Sequence, residues 1–176
     1  MLNLKAIITV GLLVILQTFS CWSNAAPPND GLAQAANAAF AKGHYSQAAV
    51  QYQQLLQNAP DHKEYRVKLA ESYEFSGKLE LAEQHAARVL ERYPKSTEAL
   101  LLMGRIRGRQ EDWAESRAYY EEAVKADNNN ASAHLGLGQA LMRLGDEAAA
   151  DTAFEDYRRL TEVPVPCPRK YGMDND

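Results

Sequence analysis

The sequence is poor in the groups that carry chemistry. Its four histidines, His44, His62, His85 and His134, never fall at the close spacings of a zinc site. Surface or partly packed positions account for them, His44 and His62 in turns, His85 and His134 on helices. No serine or cysteine stands in a nucleophile motif with a partner histidine, and the many carboxylates fit a solvated face. These absences describe a protein that is not an enzyme and uses no metal or cofactor. An excess of base is missing too: with a net charge of −4, the chain lacks the clustered Lys and Arg that phosphate neutralisation requires, so nucleic acid is not its partner. Charged residues are 24% and hydrophobic residues 46% of the chain, which excludes disorder and allows one packed core, or one and a half, in 176 residues.

Only one long apolar run occurs, AIITVGLLVILQTF over residues 6–19. Its 14 residues fall short of the roughly 20 that a membrane span needs. Lys5 precedes it as the only charge before Asp30, and Ser23 and Ala25 follow it. A basic start, an apolar middle and a Ser-x-Ala exit read as a secretory signal peptide over residues 1–25, cut after Ala25 and directing the chain to the periplasm. Two other readings stay open: a retained N-terminal anchor, and lipidation at Cys21, where Ser20 fits the usual pattern and Thr18 and Phe19 do not. Removing residues 1–25 takes away one base and no acid, for a net charge of −5, and leaves Cys167 as the lone thiol. In an oxidising compartment such a thiol is buried, capped or paired with another molecule, which opens the possibility of a homodimer.

The rest of the chain is periodic. GHYSQAAVQYQQLL starts at Gly43, GKLELAEQHAARVL at Gly77, EDWAESRAYYEEAV at Glu111 and GDEAAADTAFEDYR at Gly145, 34 residues apart each time. Ala48, Ala82, Ser116 and Ala150 form a small column, and Tyr52, Ala86, Tyr120 and Phe154 follow four residues later. Leu55, Val89, Ala123 and Tyr157 come three residues beyond those. Upstream, Ala35-Ala36, Leu69-Ala70, Met103-Gly104 and Leu137-Gly138 share a column, while Pro60, Pro94 and Asn128 close the first three units. The units run 29–62, 63–96, 97–130 and 131–164. Each holds two runs at helical spacing joined by a short turn, in three cases opening on a glycine suited to a left-handed helix end. Two antiparallel helices per 34 residues, stacked in series, make an all-α solenoid. The small columns mark where the two helices of a unit cross closely.

This pattern resembles the tetratricopeptide repeat over nearly all of the chain beyond the signal, and the resemblance implies a right-handed α-solenoid of four repeats. Leu32, Arg66, Leu100 and His134 replace the family's aromatic at the fourth residue of a unit, and Arg107 stands where a large apolar residue is usual. Those departures leave the fold intact and put the packing of the third unit in doubt. The run Gly136-Leu137-Gly138 looks like a phosphate-binding loop, but such a loop follows a strand and opens a helix. Here the glycines sit inside a helix, Gly138 in the small column, so nucleotide binding is excluded.

Function in this family lives on the concave face, lined by the first helix of each unit. By the phase of the repeats, that face shows Asp30, Ala33, Asn37 and Phe40, then Glu64, Val67, Glu71, Glu74 and Phe75. Glu98, Leu101, Arg105 and Arg109 follow in the third unit, and Ser132, Leu135, Gln139, Met142 and Arg143 in the fourth. The gradient from acids to arginines suits a peptide or partner protein with charges of both signs, since Arg can hold a carboxylate through two hydrogen bonds. Chaperone-binding members clamp a C-terminal carboxylate with Lys, Asn and Arg. Asn37 matches one clamp column, but Ala33, Lys68, Glu98 and Leu102 stand in the others, so no clamp is assembled. After the repeats, residues 165–176 form an extended tail: Pro164, Pro166 and Pro168 exclude a capping helix. The tail lies across Ala149, Ala153 and Tyr157, or a partner covers that face, or the tail is disordered; Cys167 offers an intermolecular disulfide. The sequence thus reads as an exported adapter, an assembly factor for pilus biogenesis or secretion. The alternative is a module presenting substrate to a maturation system of the cytochrome c assembly type.

Overall fold

A computed structural model describes residues 28–161. The segment expected to be a signal peptide, Cys21, the proline-containing tail and Cys167 lie outside the described residues. Eight helices follow one another: α1 (Pro28–Ala41), α2 (Tyr45–Asn58), α3 (Lys63–Phe75), α4 (Leu79–Arg92), α5 (Thr97–Arg109), α6 (Trp113–Ala126), α7 (Ala131–Leu144) and α8 (Glu147–Thr161). Each packs antiparallel on the next, which makes four helix–turn–helix units in series, as the periodicity predicts. The first helices of neighbouring units also meet, α3 with α5 and α5 with α7. The second helices of successive units make no comparable contact, so the first helices form the inner, concave side.

The turn within each unit is the same hydrogen-bonded device. His44, Lys78, Asp112 and Asp146 each donate a backbone N–H to the carbonyl five residues back, on Ala39, Tyr73, Arg107 and Leu141, at 2.9–3.0 Å. This arrangement needs a left-handed residue just before the donor. Gly43, Gly77 and Gly145 supply it at φ of 78°, 78° and 82°. In the third unit Glu111 is forced into the same conformation at φ 63°. Between units, Ala59, Tyr93 and Asp127 bond back to Leu55, Val89 and Ala123, and the next helix is capped by a side chain in two of three cases. His62 Nδ1 accepts from the Tyr65 N–H, and Asn130 Oδ1 from the Ala133 N–H.

Inside each unit the small columns meet. Ala36, Ala48, Ala70, Ala82 and Ala150 are fully buried. In the third unit the buried Ser116 hydroxyl donates to the Gly104 carbonyl at 2.8 Å, which both closes the crossing and satisfies the hydroxyl. Helix α4 shows why a helix forms here: Ala82, Ala86 and Val89, at intervals of four and three, are all buried, while Glu80, Arg88 and Glu91 face out. Gly138 takes the role expected of it, since a Cβ there would lie 2.6 Å from the Phe154 ring. Gly104 and Gly136 together grip one ring: added Cβ atoms would lie 2.8 Å and 2.3 Å from Tyr120. That ring is the wedge that spaces α5 from α7.

Two sequence expectations are corrected by packing. His134 is neither at the surface nor partly packed; it is 3% exposed, with Nε2 3.0 Å from the Asn128 carbonyl and Nδ1 3.6 Å from Asp156. Arg107 does not loosen the third unit. Its Nη2 bonds Glu83 of α4 at 2.6 Å and its Nε lies 2.7 Å from Glu115 of α6, so an ion-paired fork fills the apolar position.

Candidate functional site

The concave side is built from the faces of α3, α5 and α7. Some of its charges are ordered along the helix axes, although Lys63 opens α3 and Glu74 stands in its last turn. Glu64 and Glu98 stand in the first turns of α3 and α5, and Arg109 and Arg143 in the last turns of α5 and α7. Each charge also complements its own helix dipole, which explains why the sequence tolerates the clustering.

Two depressions result. The wider one, about 640 Å³, is bounded by Asp61, His62, Lys63, Glu64, Val67, Lys68, Glu71 and Glu98. Its charges are largely paired: Lys63 reaches Glu98 at 3.1 Å and Lys68 reaches Glu71 at 2.9 Å. Burial works to raise the Glu98 carboxyl, but the Ser96 hydroxyl at 2.8 Å and the Lys63 ammonium outweigh it and hold that carboxyl below its ordinary value. Val67, at 6% exposure, belongs to the floor rather than the lining surface.

The second depression, about 280 Å³, lies between α3, α5 and α7 and brings together Glu74, Phe75, Arg105, Arg109 and Gln139. At its base Glu74 is 1% exposed, although it stands in a column expected to face a partner. Arg105 holds it through Nε at 3.1–3.3 Å and Nη2 at 2.9 Å. Burial opposes the Arg105 charge, and the Glu74 carboxylate more than restores it, raising the arginine's pKa. Arg109 adds Nε at 3.5 Å from the same carboxylate and donates Nη1 to the Glu74 main-chain carbonyl at 3.1 Å. A buried carboxylate is tolerated only with such partners. The cluster ties α3 to α5 and fixes both guanidiniums at the cleft.

The other groove residues distribute around these depressions. Asn37 is exposed and accepts the Tyr52 hydroxyl at 2.6 Å. Burial, then Glu71 and Glu64, pushes that phenol up to about 12. Phe40 packs edge-on against Tyr45 and Phe75, which stack on each other with centroids 4.8 Å apart. Asp30 and Ser132 are exposed, while Ala33, Leu101 and Leu135 are half-buried. Met142 is 47% exposed at the α7 rim, and the Arg143 guanidinium lies 5.1 Å from the centroid of Trp113. Sequence phase misses Trp113 and Tyr120, which line the cleft from α6, because second helices are not assigned to the concave side. The clamp columns present no clamp: Leu102 is fully buried, Glu98 pairs with Lys63, and Lys68 pairs with Glu71 while lying over the Phe40 ring. Among the described residues no group of acids, histidines or cysteines is placed to hold a metal ion, and no helix is long and apolar enough to cross a membrane.

Four helix pairs in series with an inner groove define a repeat scaffold of the kind that binds other proteins. Two family models, both described as tetratricopeptide repeat, match residues 39–106 and 101–162 and together span α2 to α8. The chain is a tetratricopeptide repeat protein, a scaffold class that is typically non-catalytic and mediates protein–protein interaction. Over 112 residues it is 32% identical to a heat-shock protein cognate co-chaperone, sgt12, of Aspergillus fumigatus, a stretch that is 64% of this chain and 33% of that protein. Tetratricopeptide repeat protein 21B of Xenopus laevis is 26% identical over 112 residues, 8% of its length. The chain thus spans a third or less of both curated relatives. Among solved structures, a thermophilic TPR protein of Thermus thermophilus aligns with TM-score 0.69 and 17% identity over 77% of this chain and 76% of that one. MamA from Desulfovibrio magneticus RS-1 aligns with TM-score 0.66 and 22% identity, covering 76% of each chain. At these identities the solved structures bear on the fold alone.

Proposed function

We propose that this chain is an exported scaffold that holds a peptide or a partner protein in its concave groove, and that it acts as an assembly factor for pilus biogenesis or secretion machinery. The observation that carries groove binding is the exposure of Phe75, at 44%, in one cleft with a half-exposed Arg109, with Met142 47% exposed on α7. Large apolar side chains next to fixed guanidiniums are what a peptide interface uses: area for burial and charge for register. Export to the periplasm is supported by the basic, apolar and small-residue succession of residues 1–25. The assembly role is supported by architecture, as an analogy with small exported repeat proteins.

Site-specific photo-crosslinking in a host envelope tests the groove. A crosslinking residue at Gln139, on the concave side, is expected to capture a partner. The same residue at Leu81, exposed on α4, is expected to capture none. Capture at Leu81 alone would move the interface to the convex side and refute the reading. Intact mass of the chain recovered from that host checks export: a chain starting at Ala26 is expected, and one retaining Met1 would refute it.

A further inference from the structure

We infer that the cleft between α3, α5 and α7 takes an acidic side chain, Asp or Glu, from within an extended segment of the partner. The inference rests on the groove reading above and names what the groove recognises. Its first support is a charge imbalance. One carboxylate, Glu74, faces two guanidiniums, and Arg105 already takes it with Nε and Nη2. Arg109 approaches it less closely, at 3.5 Å, and keeps 46% of its side chain exposed. At the rim, Arg143 lies over the Trp113 ring, which screens one face of the guanidinium but supplies no counter-charge. Among the described residues no carboxylate lies within ion-pair distance of Arg143. In a chain of net charge −4, positive charge is thus left without a counter-charge at this cleft.

The second support is a set of unused donors. Tyr120 lines the cleft, and among the described residues its hydroxyl has no hydrogen-bond partner. Burial pushes that phenol up to about 12, against the field of Arg105, so it stays a donor. Gln139 adds an exposed amide on the α7 wall. A guanidinium, a phenol and an amide converging on one void of about 280 Å³ are the complement of a carboxylate. That volume is about nine waters at roughly 30 Å³ each, room for a side chain and not for a folded element. Aromatic walls from Phe75, Trp113 and Tyr120 limit screening and strengthen the pair.

The carboxylate belongs to an internal residue because the groove does not stop at the cleft. The Phe40–Tyr45–Phe75 aromatics continue it toward α1, and Met142 continues it past α7. A chain can run through. The wider depression cannot compete for an acid: Asp61, Glu64, Glu71 and Glu98 outnumber Lys63 and Lys68 there.

Panning random dodecapeptides displayed on phage against the full chain tests this. Enriched peptides are expected to carry Asp or Glu beside an apolar residue and to bind when synthesised with an amidated C-terminus. Replacing that acid by its amide is expected to weaken binding about tenfold, with a smaller loss at high salt. Arg143→Gln is expected to weaken binding several-fold while lowering the melting temperature only slightly, since Arg143 has no ion pair to lose and only its contact with the Trp113 ring goes; Arg109→Gln is expected to act in the same direction. Peptides that lose binding on Phe75→Ala but show no acidic preference would overturn the inference and leave the groove reading standing. A requirement for a free C-terminal carboxylate would overturn it likewise. Peptides indifferent to Phe75→Ala, or no enrichment at all, would overturn both.

Discussion

Replacing Gly136 by alanine tests the wedge on which the cleft depends. In an isolated helix this change is favourable, since glycine costs roughly 0.5–1 kcal/mol relative to alanine. Here an added Cβ would stand 2.3, 2.4 and 2.7 Å from Cε1, Cζ and Cδ1 of Tyr120. Ordinary carbon contacts need about 3.5 Å or more, so the ring must move by about 1 Å. It cannot retreat freely, because Gly104 on α5 lies against it from the other unit, where an added Cβ would meet the same ring at 2.8 Å. Either α7 moves away from α5 or Tyr120 leaves its rotamer. Overpacking of this kind costs typically 1–3 kcal/mol, and confinement from both sides places this case at the upper end. Less the propensity gain, Gly136→Ala is expected to destabilise by about 2 kcal/mol, lowering the melting temperature by about 6–10 °C. Urea unfolding followed by far-ultraviolet circular dichroism measures it. Gly31→Ala is the control: nothing lies within 4 Å of its added Cβ, so the propensity gain should appear undiminished. The double variant Gly136→Ala/Tyr120→Leu is expected to lose less than the sum of the single changes. A Gly136→Ala protein as stable as the parent or more so would refute the close approach of α5 and α7.

Three further outcomes follow from the same geometry. Glu111→Gly relieves a left-handed non-glycine residue in a turn otherwise built on glycine, and is expected to raise stability by about 0.5–1 kcal/mol in urea titration; a loss would show that Glu111 makes a contact worth more than its strain. Glu74→Ala leaves two guanidiniums facing each other beside a buried void. It is expected to cost about 3 kcal/mol, the lower end of the range for broken buried pairs because Arg105 keeps 36% of its side chain exposed. The pH dependence has two limbs. Burial, then Arg66 and Arg88, lowers the His85 pKa, so the unfolded chain binds the proton first; stability should fall as pH drops below about 6.5, less so in His85→Gln. Tyr52, raised to about 12, supports the fold fully below pH 10 and loses that support as pH climbs toward 12, and Tyr52→Phe should make that alkaline limb shallower in a thermal-melt series, the remainder coming from Tyr120, raised likewise.

The repeat was legible because stacking imposes it. A unit that must cross the next at one spacing repeats its small residue at one spacing, and Ala48, Ala82, Ser116 and Ala150 record that directly. Groove membership was legible in part. Phe75, Arg105, Arg109 and Gln139 share one cleft because they fall in two columns on one helix face, Phe75 with Arg109 and Arg105 with Gln139. Phase alone could not reveal that Glu74 turns under Arg105 and Arg109, because the burial of a carboxylate depends on which cations the next unit brings above it. Nor could it reveal Trp113 and Tyr120, whose helix is assigned to the outer side and whose rings reach the cleft only where Gly108 and Gly136 leave room. Arg107 read as a packing defect and proved an ion-paired bridge, since Glu83 and Glu115 lie 24 and 8 residues away along the chain.

What the sequence by itself determined is the architecture: the number of units, the helix pair within each, the turn and the helix face that looks inward. Periodicity carries these because they are local or repeat with a fixed offset. Only the tertiary structure decided the electrostatics of the groove. Whether an arginine is spent on a neighbouring carboxylate, as Arg105 is, or lies over an aromatic ring without a counter-charge, as Arg143 does, depends on distances of 3–5 Å between helices that no spacing along the chain encodes.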